Sequence, residues 1–328
     1  MSDFYDFGKV LSYNATINMI MGARGVGKTY GAKRIVMKNY MERGEEFIYL
    51  RRYKSELKSI SNFFADVAHE FPDHEWRVVG HEAHHRLKGA EKWATCGYFI
   101  PLSTSQANKS TAYPKVTTIV FDEFIIEKGS IHYLPDEVKR LYDFYSTVDR
   151  WQDRTRILML SNAISITNPY FIEYDIEPTK EIVRRGNGFI VAHFVDSAAF
   201  AERIRKTRFG SFISKYAGEY ADYSISNDFA DAHDEYLARK WPEAKIYCTL
   251  RTRKGSFSIW KHGFQWYCQR KLPAKSPLRL AYDVQHREGE ALALRSDPLM
   301  SMLRTAYRQG VMYFDAAPTR NIFREIFK

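Results

Sequence analysis

Residues 22–29, Gly22-Ala23-Arg24-Gly25-Val26-Gly27-Lys28-Thr29, fit the pattern G-x-x-x-x-G-K-[ST] at every position. Glycines at these places let the backbone wrap closely, so that several N–H groups point at one phosphate. A helix starting at Lys28 adds the partial positive charge of its N-terminus. Lys28 then bridges the β- and γ-phosphates, and the Thr29 hydroxyl ligates Mg2+. The chemistry implied is capture of a nucleoside triphosphate with its magnesium. No N-K-x-D guanine motif occurs in the chain, so the base expected is adenine and the nucleotide ATP.

A second set of residues supplies what hydrolysis needs. Thr117-Thr118-Ile119-Val120-Phe121-Asp122-Glu123 is an apolar run ending in two carboxylates. Downstream of such a loop, Asp122 is expected to hold the magnesium through water, and Glu123 to polarise the attacking water as general base. Leu158-Met159-Leu160-Ser161-Asn162 is a second apolar run with a polar end, which places Asn162 to sense the γ-phosphate. Arg150, Arg154 and Arg156 follow closely on one another, and any of them, donated to a neighbour's nucleotide, would stabilise transition-state charge. Arg51, Arg52 and Lys54 lie just past an apolar run. If that run neighbours the acidic strand, one of them holds Glu123 away from water until DNA is gripped; all three, Arg51, Arg52 and Lys54, are candidates for DNA contact, with Lys54 facing a DNA channel.

These groups meet only if a sheet holds them. Ile17–Met21 reads as the strand before the loop, and Lys28–Met41 carries helical spacing after it. Glu46–Leu50, Val116–Phe121 and Ile157–Leu160 read as strands. Ser55–Glu70 is predicted as a helix with Leu57, Ile60, Phe63, Phe64 and Val67 on one face, and Pro135–Val148 as a helix with Pro135 in its first turn. Trp76–Leu102 is expected to contain an inserted hairpin. Strands alternating with helices imply a mostly parallel sheet covered on both faces, an α/β fold of the P-loop class. The expected organisation is an ATPase domain over 1–195, a linker domain over 196–238 and a second α/β domain over 239–328. Strands in the last are expected at Ile246–Leu250, Phe257–Trp260, Phe264–Cys268, Leu278–Asp283 and Val311–Phe314, with helices at Pro298–Gln309 and Arg320–Phe327.

Charge is distributed unevenly. Residues 1–195 hold 26 Lys/Arg against 24 Asp/Glu, whereas 196–328 hold 23 against 15. Within 239–279 there are 11 basic residues and one acid, Glu243, with Trp241, Tyr247, Phe257, Trp260, Phe264, Trp266 and Tyr267 interleaved. Basic residues among aromatics suit a polyanion such as nucleic acid. No apolar run approaches the ~18 residues a membrane helix needs, and Met1–Lys9 has no apolar core of a secretory signal. Cys96, Cys248 and Cys268 stand far apart without metal-type spacing, as expected of reduced thiols in a cytosolic protein.

The segments Gly22 to Lys28, Phe47-Ile48-Tyr49-Leu50-Arg51-Arg52-Tyr53-Lys54, Phe71-Pro72-Asp73-His74-Glu75, Ala112-Tyr113-Pro114, Thr118 to Phe124, Leu160-Ser161-Asn162-Ala163 and Lys206-Thr207-Arg208-Phe209-Gly210 resemble the genome-packaging ATPase of φ29-like tailed phages. The likeness is strongest through residue 170, patchy in the linker and weakest after it. It implies a terminase-like, ASCE-type P-loop ATPase domain and a homopentameric ring at the capsid portal. It also implies ATP-driven translocation of double-stranded DNA in the host cytoplasm, with an RNA or protein adaptor left open and no membrane. By position it makes Arg150 the trans-acting arginine finger, Lys109 a lysine near the neighbour's nucleotide and Lys54 a pore-lining lysine. It makes the C-terminal domain an RNase H-like module that has lost its nuclease acids. Consistent with that loss, the strand Ile246–Leu250 carries no carboxylate, although a two-metal nuclease needs one there; Asp283 and Asp315 remain. A helicase would use the same nucleotide site but prefer single strands. A non-catalytic portal switch would not need Lys28, Asp122 and Glu123 together.

Overall fold

Apolar runs of the N-terminal half become strands buried on both faces. The computed structural model describes residues 5–108, 111–126, 132–162, 168–176, 180–196, 198–216, 236–308 and 311–326. Its elements fall into two compact units, Met1–Phe229 and Ala230–Lys328.

The first unit contains α1 (Phe7–Leu11), β1 (Ile17–Met21), α2 (Lys28–Arg43), β2 (Glu46–Arg51), β3 (His74–Val79), β4 (Glu82–Leu87), β5 (Ala94–Pro101), β6 (Val116–Asp122), α3 (Glu137–Asp149), β7 (Arg156–Ser161), α4 (Pro169–Tyr174), β8 (Ile182–Arg185), β9 (Ile190–Phe194), α5 (Ala198–Arg205) and α6 (Arg208–Tyr216). The strands form one nine-stranded sheet in the order β3-β4-β5-β2-β6-β7-β1-β9-β8. From β5 to β9 all neighbours are parallel. The hairpin β3–β4 and the edge strand β8 add antiparallel pairs. β7 stands between β1, which leads into the phosphate loop, and β6, which ends in the acids. That inserted strand is the ASCE arrangement.

Alternation along each strand sorts the core into two layers. Phe47 and Tyr49 of β2 join Val120 and Leu158 in the layer that holds α2 through Ala32, Val36 and Met37. Ile48 and Leu50 join Ile119, Phe121 and Met159 in the layer that holds α3 through Val138, Leu141, Phe144 and Val148. Each fully buried side chain of this size contributes about 1.5–3 kcal/mol of transfer free energy.

Two expectations fail locally. Residues 54–70 are not one helix but short 3-10 turns at Lys54–Leu57, Ile60–Asn62 and Ala68–Glu70. Leu57, Phe63, Phe64 and Val67 are buried as expected, yet Phe63 stacks on Phe47 while Phe64 turns to Trp76. Divergent partners, with Ser59, Ser61 and Asn62 just ahead of Phe63, favour turns over a continuous helix. The helix expected from Pro135 begins instead at Glu137, after a left-handed Asp136. Its start is set by the Glu137 carboxylate, which accepts from the Leu134 N–H and from Arg52.

The second unit contains β10 (Lys245–Thr252), β11 (Gly255–His262), β12 (Gln265–Gln269), β13 (Arg279–Tyr282), β14 (Ala291–Ala293), α7 (Pro298–Arg308), β15 (Met312–Phe314) and α8 (Ala317–Ile326). Its sheet order is β14-β13-β10-β11-β12-β15, with β10, β11 and β12 antiparallel and β13 and β14 parallel to β10. β15 pairs with β12 in parallel at the other end of the sheet. Among the described residues no helix is long and apolar enough to cross a membrane.

Candidate active site

The parallel strands end together, and the chemistry collects at their C-terminal edge. The loop from β1 turns through Gly25 at φ 91° and Gly27 at φ 84° before α2 begins. Both values are left-handed, where a side chain is strained. Lys28 folds back into this loop. Its Nζ donates to the carbonyls of Gly22 at 2.6 Å and Ala23 at 2.9 Å, with Asn162 Oδ1 at 3.4 Å. The amine is buried. Burial pushes its pKa down to about 8, against the opposing pull of the Asp122 charge. Arg24 is exposed on the loop, whereas Ala23 and Val26 are buried.

Thr29, the second residue of α2, points its hydroxyl at Asp122, 3.2 Å from both carboxylate oxygens. Asp122 Oδ2 also accepts the buried Tyr49 hydroxyl at 2.7 Å, and Oδ1 accepts the Glu123 N–H at 3.1 Å. Burial and the Asp122 charge hold the Tyr49 phenol well above its ordinary pKa, so it stays a donor. Sequence reasoning missed Tyr49. The signal was the period-2 alternation of β2, which puts Tyr49 on the layer facing α2 and one strand from Asp122.

Glu123 follows with φ 57°, outside the usual range for a non-glycine residue. Its carboxylate is half exposed and pairs with Arg51 Nη2 at 2.5 Å. Arg51 Nη2 also donates to Glu56 at 2.9 Å, and Nη1 lies 3.9 Å from Asp122. Burial works against the guanidinium charge, but Glu123 and its neighbouring acids outweigh burial and raise the pKa of Arg51.

Arg52 corrects an expectation. It does not face DNA: it is 1% exposed and forms a bidentate pair with Glu137 at 2.8 and 2.9 Å. It also donates to the carbonyls of Phe124 at 2.6 Å and Glu123 at 3.3 Å, pinning the turn that carries Glu123. Arg51 likewise turns inward to the acids rather than outward. Lys54 remains exposed, in the first turn after β2.

The three arginines after α3 separate by their surroundings. Arg154 donates to the carbonyls of Pro114, Tyr113 and Val148 and is spent on the fold. Arg156 pairs with Asn14. Arg150 is exposed, and its guanidinium makes no hydrogen bond or ion pair among the described residues. All three lie where β7 begins, at the edge opposite the phosphate loop; the six residues of β7 separate the edges by about 17 Å. Lys109 lies outside the described residues.

The donor set fits magnesium triphosphate. Lys28 is a buried ammonium whose hydrogen bonds go to neutral oxygens, inside a glycine loop at a helix N-terminus. Thr29 and Asp122 already share one spot. Among the described residues no three His, Cys, Asp or Glu side chains converge as a metal cage.

The whole length, residues 1–328, matches the family model for the Podovirus DNA encapsidation protein (Gp16). The chain belongs to this family. It is 36% identical to the DNA packaging protein of Bacillus phage phi29 over 332 aligned residues, covering 99% of this chain and 97% of that one. It is equally close, at 36%, to the DNA packaging protein of Bacillus phage B103, covering 97% and 98%. Among solved structures it matches a chain of the bacteriophage Phi-29 viral genome packaging motor assembly with a TM-score of 0.72 at 34% identity, over 99% of both chains. The crystal structure of the N-terminal domain of the phi29 DNA packaging ATPase matches 60% of this chain and 98% of its own, at 43% identity and a TM-score of 0.55. The protein is a phage DNA packaging protein and an ATPase.

Proposed function

We propose that the chain hydrolyses Mg-ATP and spends the cycle on moving double-stranded DNA into a preformed capsid. It does so as one subunit of a homopentameric ring that docks at the portal, directly or through an RNA or protein adaptor, in the host cytoplasm. The observation that carries this reading is the meeting of Lys28, Thr29, Asp122 and Glu123 at one sheet edge, with Arg51 holding the base. Support for the assembly comes from the phi29 relative, which occurs in a viral genome packaging motor assembly.

In this reading Lys28 and the loop amides bind the phosphates, and Thr29 and Asp122 hold the metal side, with Tyr49 fixing the Asp122 rotamer. The bound magnesium supplies charge neutralisation at the phosphoryl oxygens. Glu123, paired with Arg51, is in a waiting state; released, it takes a proton from the attacking water. Lys54 stands three residues beyond Arg51 and contacts DNA phosphates, so gripping and release of Glu123 share one short segment. Asn162, beside Lys28, reads the γ-phosphate. Arg150 and Lys109 serve the neighbouring subunit's nucleotide. Contacts to DNA are backbone-directed and weaken with salt.

Nuclease activity is not part of this reading. β10 carries no carboxylate. Asp283 accepts the Arg253 N–H, and Glu290 is paired with Arg251. The C-terminal unit is assigned a gripping or docking role on its basic, aromatic strands.

Steady-state turnover and nucleotide binding of Lys28→Ala and Glu123→Ala test the site. Both are expected to lose turnover by at least about 100-fold. Glu123→Ala keeps its nucleotide affinity, and Lys28→Ala loses it. Wild-type turnover in either variant overturns the assignment.

A further inference from the structure

The loop between α3 and β7 is built for exposure. Arg150, Trp151 and Asp153 all hold left-handed φ values, 52°, 60° and 53°. Non-glycine residues there cost energy and persist only where the surroundings enforce them. Asp149 enforces them. It is 2% exposed, and its carboxylate accepts four successive N–H groups: Gln152 at 2.9 Å, Asp153 at 3.0 Å, Arg154 at 3.0 Å and Thr155 at 2.9 Å. Arg154 then ties the loop to the carbonyls before β6. On this base the Trp151 indole stands 89% exposed, next to Arg150, whose guanidinium makes no ion pair among the described residues.

Among the described residues nothing covers this indole, which the loop holds almost fully in water. We propose that Trp151 is a docking anchor that seats on a second copy of this chain, beside the nucleotide site that Arg150 enters. This rests on the reading of Arg150 as a trans residue and adds a division of labour. Arg150 stabilises charge, and Trp151 supplies apolar contact that brings it into place. Three arguments favour a second copy as the occupant. Arg150 lies ahead of β7, at the sheet edge opposite its own phosphate loop. The anchor and the arginine are consecutive on one rigid support. Tryptophan and arginine are, with tyrosine, the residues enriched among those that dominate protein interfaces.

The test is ATPase rate per subunit as a function of concentration, using full-length protein. Wild type should rise to a plateau as second copies complete the site. Trp151→Ala should shift the midpoint at least tenfold higher and approach the same plateau, while Trp151→Phe shifts it less than about threefold, because a buried anchor carries about 1.4 kcal/mol or more. Arg150→Ala should lower the plateau and leave the midpoint in place. Thermal unfolding of each variant alone should match wild type, since the indole is exposed. A Trp151→Ala midpoint equal to wild type overturns the anchor and leaves the trans arginine standing. A Trp151→Ala variant that loses DNA stimulation without a midpoint shift makes nucleic acid the partner and also overturns it. A wild-type rate per subunit independent of concentration overturns both assignments.

Discussion

Lys28 is charged at a place where burial disfavours charge, and this has a measurable consequence. Its pKa in the folded chain is about 8 against the ordinary 10.5. Between those values the unfolded chain holds a proton that the folded chain does not, so this residue makes stability rise with pH across that window. A bound polyphosphate restores the charged form. Nucleotide binding at pH 9 should therefore take up close to one proton, and binding at pH 7 close to none from this residue. Calorimetric titration in buffers of different ionisation enthalpy reads this directly; equal uptake at both values would contradict the buried, depressed amine. The same scale separates Arg51 from Arg52. They are consecutive, yet one holds Glu123 while the other is locked to Glu137. Sequence could name both as candidates but could not tell them apart, because their difference arises from the layers on either side of β2.

At the scale of elements, the loop Arg150–Thr155 depends on one carboxylate. Burial raises the pKa of Asp149, but the backbone N–H groups it accepts outweigh burial and hold it below the ordinary value. Asp149→Ala should cost about 1–3 kcal/mol in denaturant unfolding, the cost of donors left unsatisfied, and should speed hydrogen exchange at residues 152–155. Unchanged exchange there would mean the loop is held by other contacts. The strands bearing chemistry were legible: β1, β2, β6 and β7 lie within a residue or two of their expected bounds, since buried parallel strands read as continuous apolar runs. Less was legible where packing overrode local pattern. The 54–70 stretch has a helical apolar face but breaks into turns because Phe63 and Phe64 seek different partners. β8 was not read because its edge position leaves it half charged, Ile182-Val183-Arg184-Arg185. The loop motif and the two acids were plain in sequence, whereas Tyr49 needed the register of β2 against β6.

For the whole molecule, the two edges of the nine-stranded sheet divide the work. One edge carries the nucleotide groups, and the other carries Arg150 and Trp151 on a fixed loop. On the proposed reading, Arg150 completes the reaction of another copy, and hydrolysis and assembly are coupled. The most direct measurement is DNA-stimulated ATP hydrolysis in mixtures of wild type with increasing fractions of Arg150→Ala. The account predicts stimulation by double-stranded DNA and a loss of turnover steeper than the mutant fraction, because each defective arginine disables a neighbour's site and interrupts the ring's order of firing. Hydrolysis indifferent to DNA, falling only in proportion to the mutant fraction, would contradict it.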